Sequence, residues 1–92
     1  MPIYVDPLLP CLSNKNWPWT KSCHLFADTE AELHAFAGKI YLRRSWFQRN
    51  KRCDHYDLTE RMRGVAVSFG AMELGRDATV AKWKEIQESV VK

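Results

Sequence analysis

The stretch SCHLFADTEAELHAFAGKI, residues 22–40, changes its hydrophobic period at one point, and that change limits what the chain can fold into. Up to residue 28 the residues alternate: Cys23, Leu25 and Ala27 fall on one face of an extended segment, His24, Phe26 and Asp28 on the other. From Thr29 the spacing lengthens. Leu33, Phe36, Ala37 and Ile40 recur at i, i+3, i+4 and i+7, which makes one apolar stripe on a helix with His34 at its edge. Thr29 followed by Glu32 is a capping box, so the helix starts there. A strand that runs straight into an amphipathic helix must bury an apolar face of each, which calls for a sheet with helices packed on it.

The remaining segments extend that unit. IYV puts Ile3 and Val5 on one face and Tyr4 and Asp6 on the other, as a first strand would. Residues 7–21 carry Pro7, Pro10 and Pro18, whose fixed φ and missing N–H predict a long loop containing Trp17 and Trp19. In YLRRSWFQRNKRC, Leu42, Trp46 and Phe47 call for burial amid arginines, which suggests a turn and a brief strand before a basic loop. From Thr59, a stripe of Met62, Val65, Ala66 and Phe69 predicts a second helix ended by Gly70, and AMEL reads as a short strand. Asp77 can cap a third helix over residues 77–92 whose Val80, Trp83, Ile86 or Gln87 and Val90 face the body. The expected architecture is one α/β or α+β domain over residues 1–92, a short mixed sheet with about three helices.

Composition bounds what such a domain can do. At 92 residues it has room for one small core, and 46% apolar content is enough to order it. Cys11, Cys23 and Cys53 are an odd, widely spaced set, which fits a reducing compartment better than a disulfide framework. The first dozen residues lack the order of a secretory signal and no apolar run is long enough to span a membrane, so a cytoplasmic protein without membrane contact is expected. A net charge of +3 hides an uneven distribution: Lys39, Arg43, Arg44, Arg49, Lys51 and Arg52 follow one another with no acidic residue among them. Such a field suits a phosphate-bearing partner and equally a solvated loop.

Catalysis by a familiar motif finds no support, because there is no G-x-S-x-G elbow, no G-x-G-x-x-G and no P-loop. The histidines each have an acidic neighbour. On a regular strand His24 and Asp28 stand about 13 Å apart, too far to share an ion whose ligands lie about 2.0–2.2 Å from it. His55 and Asp57 would point the same way on an extended segment about 6.6 Å long, but a metal would need a third ligand. Asp57 also suits the start of the second helix, with Glu60 in capping-box position and Thr59 as rival cap, whereas His55 and Tyr56 have no such explanation. In RRSWFQRNKR, arginines bracket Trp46 and Phe47, a composition that can bind phosphate and stack on a base or can simply serve the core and solvent.

Taken together, IYVD, CHLFADTEAELHAFA, WFQ and HYDLTERMRGVAVSFGA resemble a small domain family of unknown function found widely in tailed phages and their bacterial hosts. The resemblance runs from Ile3 to about Leu74, and carries as its polar signature Asp6, His24, Asp28, Glu32, His34, Gln48, His55, Tyr56 and Asp57. RNKRCD, between Gln48 and His55, departs from the shorter link of the family pattern. The resemblance implies a phage context and an accessory protein acting in the cytoplasm of an infected host. By analogy of lifestyle and size, it suggests sequestration of a nucleotide-derived immune signal as counter-defence.

The resulting expectation is a ligand-binding protein, without catalytic residues, metal or cofactor, in which His24, His34, Arg43, Arg44, Trp46, Gln48, His55, Tyr56 and Asp57 line one polar hollow. Its partner would be a phosphate-bearing small molecule such as a nucleotide derivative, nucleic acid being less favoured. A homo-oligomer would enclose the ligand more easily than one small domain. The alternative is a metal-dependent or acid-base hydrolase acting on a phosphorylated or nucleic-acid substrate through His55 and Asp57.

Overall fold

The computed structural model describes residues 2–90, and the side chain of Val90, expected to face the body, lies outside the described residues. The chain forms β1 (Ile3–Val5), β2 (Leu9–Pro10), β3 (Lys21–Ala27), α1 (Glu30–Lys39), a 3₁₀ turn (Arg44–Trp46), β4 (Phe47–Gln48), β5 (His55–Leu58), α2 (Glu60–Ser68), β6 (Met72–Glu73) and α3 (Arg76–Val90). The sheet runs β4-β5-β3-β1-β6, with β2 also paired to β3. Among the described residues β1 pairs parallel with β6 and the other pairs are antiparallel, so the sheet is mixed and the class is α+β.

The alternation in β3 divides the molecule into two layers. Cys23, Leu25 and Ala27 join Ile3, Val5, Tyr56 and Leu58 on one face, covered by Leu33, Phe36, Ala37 and Ile40 of α1 and by Ala66 of α2. Tyr4, Phe26 and Cys53 form a smaller cluster on the other face, under Leu74 and under Trp83 and Ile86 of α3. Burying a Leu or Phe side chain stabilises by about 1.5–3 kcal/mol, so the larger cluster dominates the fold and the α3 side is less completely covered. The opening for a site lies there.

Both helix starts are capped by threonine. Thr29 accepts the Glu32 N–H at 3.2 Å and donates its hydroxyl to the Glu32 carboxylate at 2.9 Å. Thr59 accepts the Met62 N–H at 3.2 Å, so Asp57 does not start α2 as expected; it sits within β5. α2 ends as Gly70 predicted: φ is 107° there, and Gly70 and Ala71 donate back to Val67 and Ala66. α1 ends the same way with Tyr41 in the left-handed position at φ 64°, where Tyr41 and Leu42 donate to Gly38 and Ala37.

Further expectations are corrected. The 7–21 segment contains β2, tolerated at Pro10 because a sheet margin leaves the missing donor unneeded. α3 begins at Arg76, which places Asp77 inside the first turn, and it buries Thr79 while Val80 stays 51% exposed. Phe69 follows the end of α2 and is exposed, so it leaves the apolar stripe. Trp46 is half exposed on the 3₁₀ turn, leaving Leu42 and Phe47 to pack against the core.

Candidate ligand-binding site

Strand pairing assembles the site. His24 stands opposite Asp57 and Gln48 opposite His55, so four polar side chains meet on the α3 face of three adjacent strands. The His24 and His55 rings lie edge to face, with centroids 4.5 Å apart. Trp83 of α3 closes one side, its ring 6.0 Å from His24 and 5.9 Å from Phe26.

Each of these groups is held from behind. Asp6, buried just beyond β1, accepts the His24 backbone N–H on Oδ1 and the His24 Nδ1–H on Oδ2, both at 2.6 Å. Arg63 of α2 fixes the Asp6 carbonyl with an Nε–H bond of 3.0 Å. His55 Nδ1 lies 2.9 Å from the Cys53 carbonyl, which can only accept, so this nitrogen carries the proton. Gln48 donates to Oδ2 of Asp57. His24 Nε2, His55 Nε2 and Asp57 Oδ1 are left facing one another: Oδ1 is 3.8 Å from His24 Nε2 and 3.4 Å from His55 Nε2. The three residues offer donor atoms that all lie within 4.8 Å of one another, a set able to hold a cation.

The electrostatics follow from this arrangement. Burial opposes a charge on His55, but the Asp57 carboxylate, the Cys53 carbonyl and Asp6 outweigh it and raise the pKa above the ordinary imidazole value. His55 holds the Asp57 carboxyl below the usual carboxylate range, against burial and with help from Gln48. Burial pushes the Cys53 thiol beside the site up to about 12.

A cavity of about 300 Å³ opens in front of these groups, lined by His24, Asn50, Arg52, Cys53, His55 and Trp83. The loop that supplies Asn50 and Arg52 is shaped by its own polar residues. Asp54 accepts the Asn50 N–H at 3.0 Å, Asn50 accepts the Arg52 N–H at 2.9 Å, and Gln87 of α3 donates to the Lys51 carbonyl. Arg52 has no carboxylate partner among the described residues.

The single hollow expected from the sequence is divided by the sheet. His24, Gln48, His55 and Asp57 come together, whereas Tyr56 points to the opposite face and bonds its hydroxyl to His34 Nδ1 at 2.8 Å. Arg44 also lies on that side, 3.9 Å from Glu30 and over the Phe47 ring, and Arg43 stacks on Trp46. Arg49 is tied to Glu30 at 2.8 Å. The alternation that separates Tyr56 from His55 and Asp57 explains the division. The supporting role of Asp6 and the contributions of Asn50 and Trp83 were not anticipated. Asp6 belongs to the polar signature of the resemblance and helical spacing turns Trp83 toward the body, but that Trp83 would cover this face of the sheet had no signal, because the covering helix is chosen by tertiary packing.

Fold and site together define a small α+β domain with a histidine–carboxylate centre on the less covered face of its sheet. The chain belongs to a family of proteins of unknown function, DUF4031, whose model matches residues 3–86. No curated protein and no solved structure matches it. No helix among the described residues is long and apolar enough to cross a membrane.

Proposed function

We propose that this protein binds a small phosphate-bearing ligand, a nucleotide derivative, in the cavity beside His24 and His55. The observation that carries this reading is the Arg52 guanidinium, without a carboxylate partner among the described residues, lining the same 300 Å³ hollow as two imidazoles, an amide and an indole. A guanidinium takes phosphate oxygens bidentately, imidazoles hydrogen-bond further oxygens, and Trp83 offers an aromatic surface to a planar ring. The volume is at the lower end of small-molecule sites, which favours a mononucleotide-sized group over a longer chain. Of the arginines suited to this role, Arg43 and Arg44 stack on Trp46 and Phe47 and Arg49 pairs with Glu30, which leaves Arg52. In a phage-encoded accessory protein such binding would serve to sequester a nucleotide-derived signal of the host.

A second reading, hydrolysis of the same ligand through His55 and Asp57, is favoured by their approach to 3.4 Å, His55 lining the cavity and Asp57 standing behind it. Calorimetry with mononucleotides, ADP-ribose derivatives and cyclic dinucleotides separates the possibilities. Binding that Arg52→Ala weakens at least tenfold, with ligand recovered intact by mass spectrometry, supports sequestration; ligand recovered cleaved supports the hydrolase. A folded protein that binds none of these probes refutes both.

A further inference from the structure

We propose that His24 Nε2, His55 Nε2 and Asp57 Oδ1 bind one divalent first-row transition ion, zinc or a close analogue, with at least one coordination position open to the cavity. This goes beyond the ligand reading and stands without it, since it rests on the protein's own donors.

The distances argue for an ion between these atoms rather than for direct bonds. Nitrogen–oxygen hydrogen bonds fall at about 2.7–3.2 Å. Asp57 Oδ1 stands 3.4 Å from one imidazole nitrogen and 3.8 Å from the other, too far for a good bond with either. Ligands bound about 2.0–2.2 Å from a tetrahedral ion stand about 3.3–3.6 Å from each other, which brackets the first distance and falls just short of the second. The three donor atoms lie within 4.8 Å of one another, so closing on one ion requires His24 to turn inward, and its side chain, 39% exposed, has room to do so.

Protonation has also been arranged in advance. A metal-binding histidine needs a lone pair on one nitrogen, and the proton on the other is commonly held by a carboxylate or carbonyl. Asp6 does this for His24 and the Cys53 carbonyl for His55, so in both neutral rings the lone pair is on Nε2. Gln48 does the corresponding service for Asp57, occupying Oδ2 and leaving Oδ1 to the centre. Three ligands with three independent supports is more order than a hydrogen-bonded surface cluster requires. Two imidazoles with one carboxylate favour borderline ions over magnesium or calcium, which prefer all-oxygen shells. The fourth position would face the cavity with Arg52 and Asn50, where a water or a phosphate oxygen could enter.

The test uses tag-free, full-length protein stripped with chelator and titrated with Zn²⁺ and Co²⁺ in a calorimeter, with the visible Co²⁺ spectrum as an independent readout. One ion per chain is expected, with Co²⁺ bands of low-symmetry nitrogen and oxygen ligation. His24→Gln and Asp57→Asn should each weaken binding at least tenfold, and His34→Gln, on the opposite face, should leave it unchanged. Because His24 sits at the rim, its variant should remain folded, which circular dichroism checks. Failure to take up either ion at stoichiometric level, or undiminished uptake by folded His24→Gln and Asp57→Asn, overturns the inference. Zinc uptake without nucleotide binding supports the metal site and removes the ligand reading; nucleotide binding by a protein that takes up no metal does the reverse.

Discussion

Replacing Asp6 by asparagine changes one charge and almost no volume, and it tests the support beneath His24. The amide oxygen can still accept the His24 backbone N–H, but the new NH₂ group then faces Nδ1, and two donors cannot bond. The ring must move its proton to Nε2 or turn away. A hydrogen bond to a charged group contributes about 1.5–3 kcal/mol. Since the imidazole is 39% exposed while Asp6 is buried, the lower end of that range applies, about 1.5 kcal/mol. Urea denaturation of the wild type, Asp6→Asn, His24→Ala and the double variant, all metal-free, should show coupling of about 1 kcal/mol or more between the two sites. Long-range proton–nitrogen NMR should show the His24 proton leaving Nδ1. Additive effects, together with an unchanged tautomer, would refute the reasoning.

Other consequences follow from the local structure. Tyr41→Gly should stabilise the protein by about 0.5–1 kcal/mol in urea denaturation, because an 89% exposed residue at φ 64° gives up left-handed strain and few contacts; Gly70→Ala should cost about 1 kcal/mol for the converse reason. Thr59→Ala should destabilise by about 1 kcal/mol by removing the α2 cap, and a loss below about 0.3 kcal/mol would return the capping role to another residue. A thiol reagent at neutral pH should modify Cys11 first in the native protein. Cys23, 1% exposed and pushed up to about 12 by burial, should react only on unfolding, so rapid modification of Cys23 would contradict the packing of β3.

The parts of the fold that were legible in the sequence were those with a clean period or a local chemical signal. The alternation of residues 22–28 predicted both faces of β3, the Thr29–Glu32 pair predicted the start of α1, and Gly70 predicted the end of α2. β2 and β4 have two residues each, too short for any period to register. The site was legible by halves. Spacing of two put His55 and Asp57 on one face of a strand, and the same rule, applied to Tyr56, places it on the other. His34 could be assigned to neither face from sequence, because which side of the sheet α1 covers is settled by packing that joins residues far apart in the chain. That His24 would meet His55 depended on the register of β3 with β5, which no local pattern announces.

The central claim is that strand register gathers His24, His55 and Asp57, with their supports, into one centre on the α3 face. Diffraction at the zinc absorption edge, from crystals grown with zinc, tests it most directly. The account predicts an anomalous peak about 2 Å from Nε2 of both histidines and Oδ1 of Asp57, open toward Arg52. A peak at His34 or elsewhere, with His24, His55 and Asp57 vacant, would contradict it.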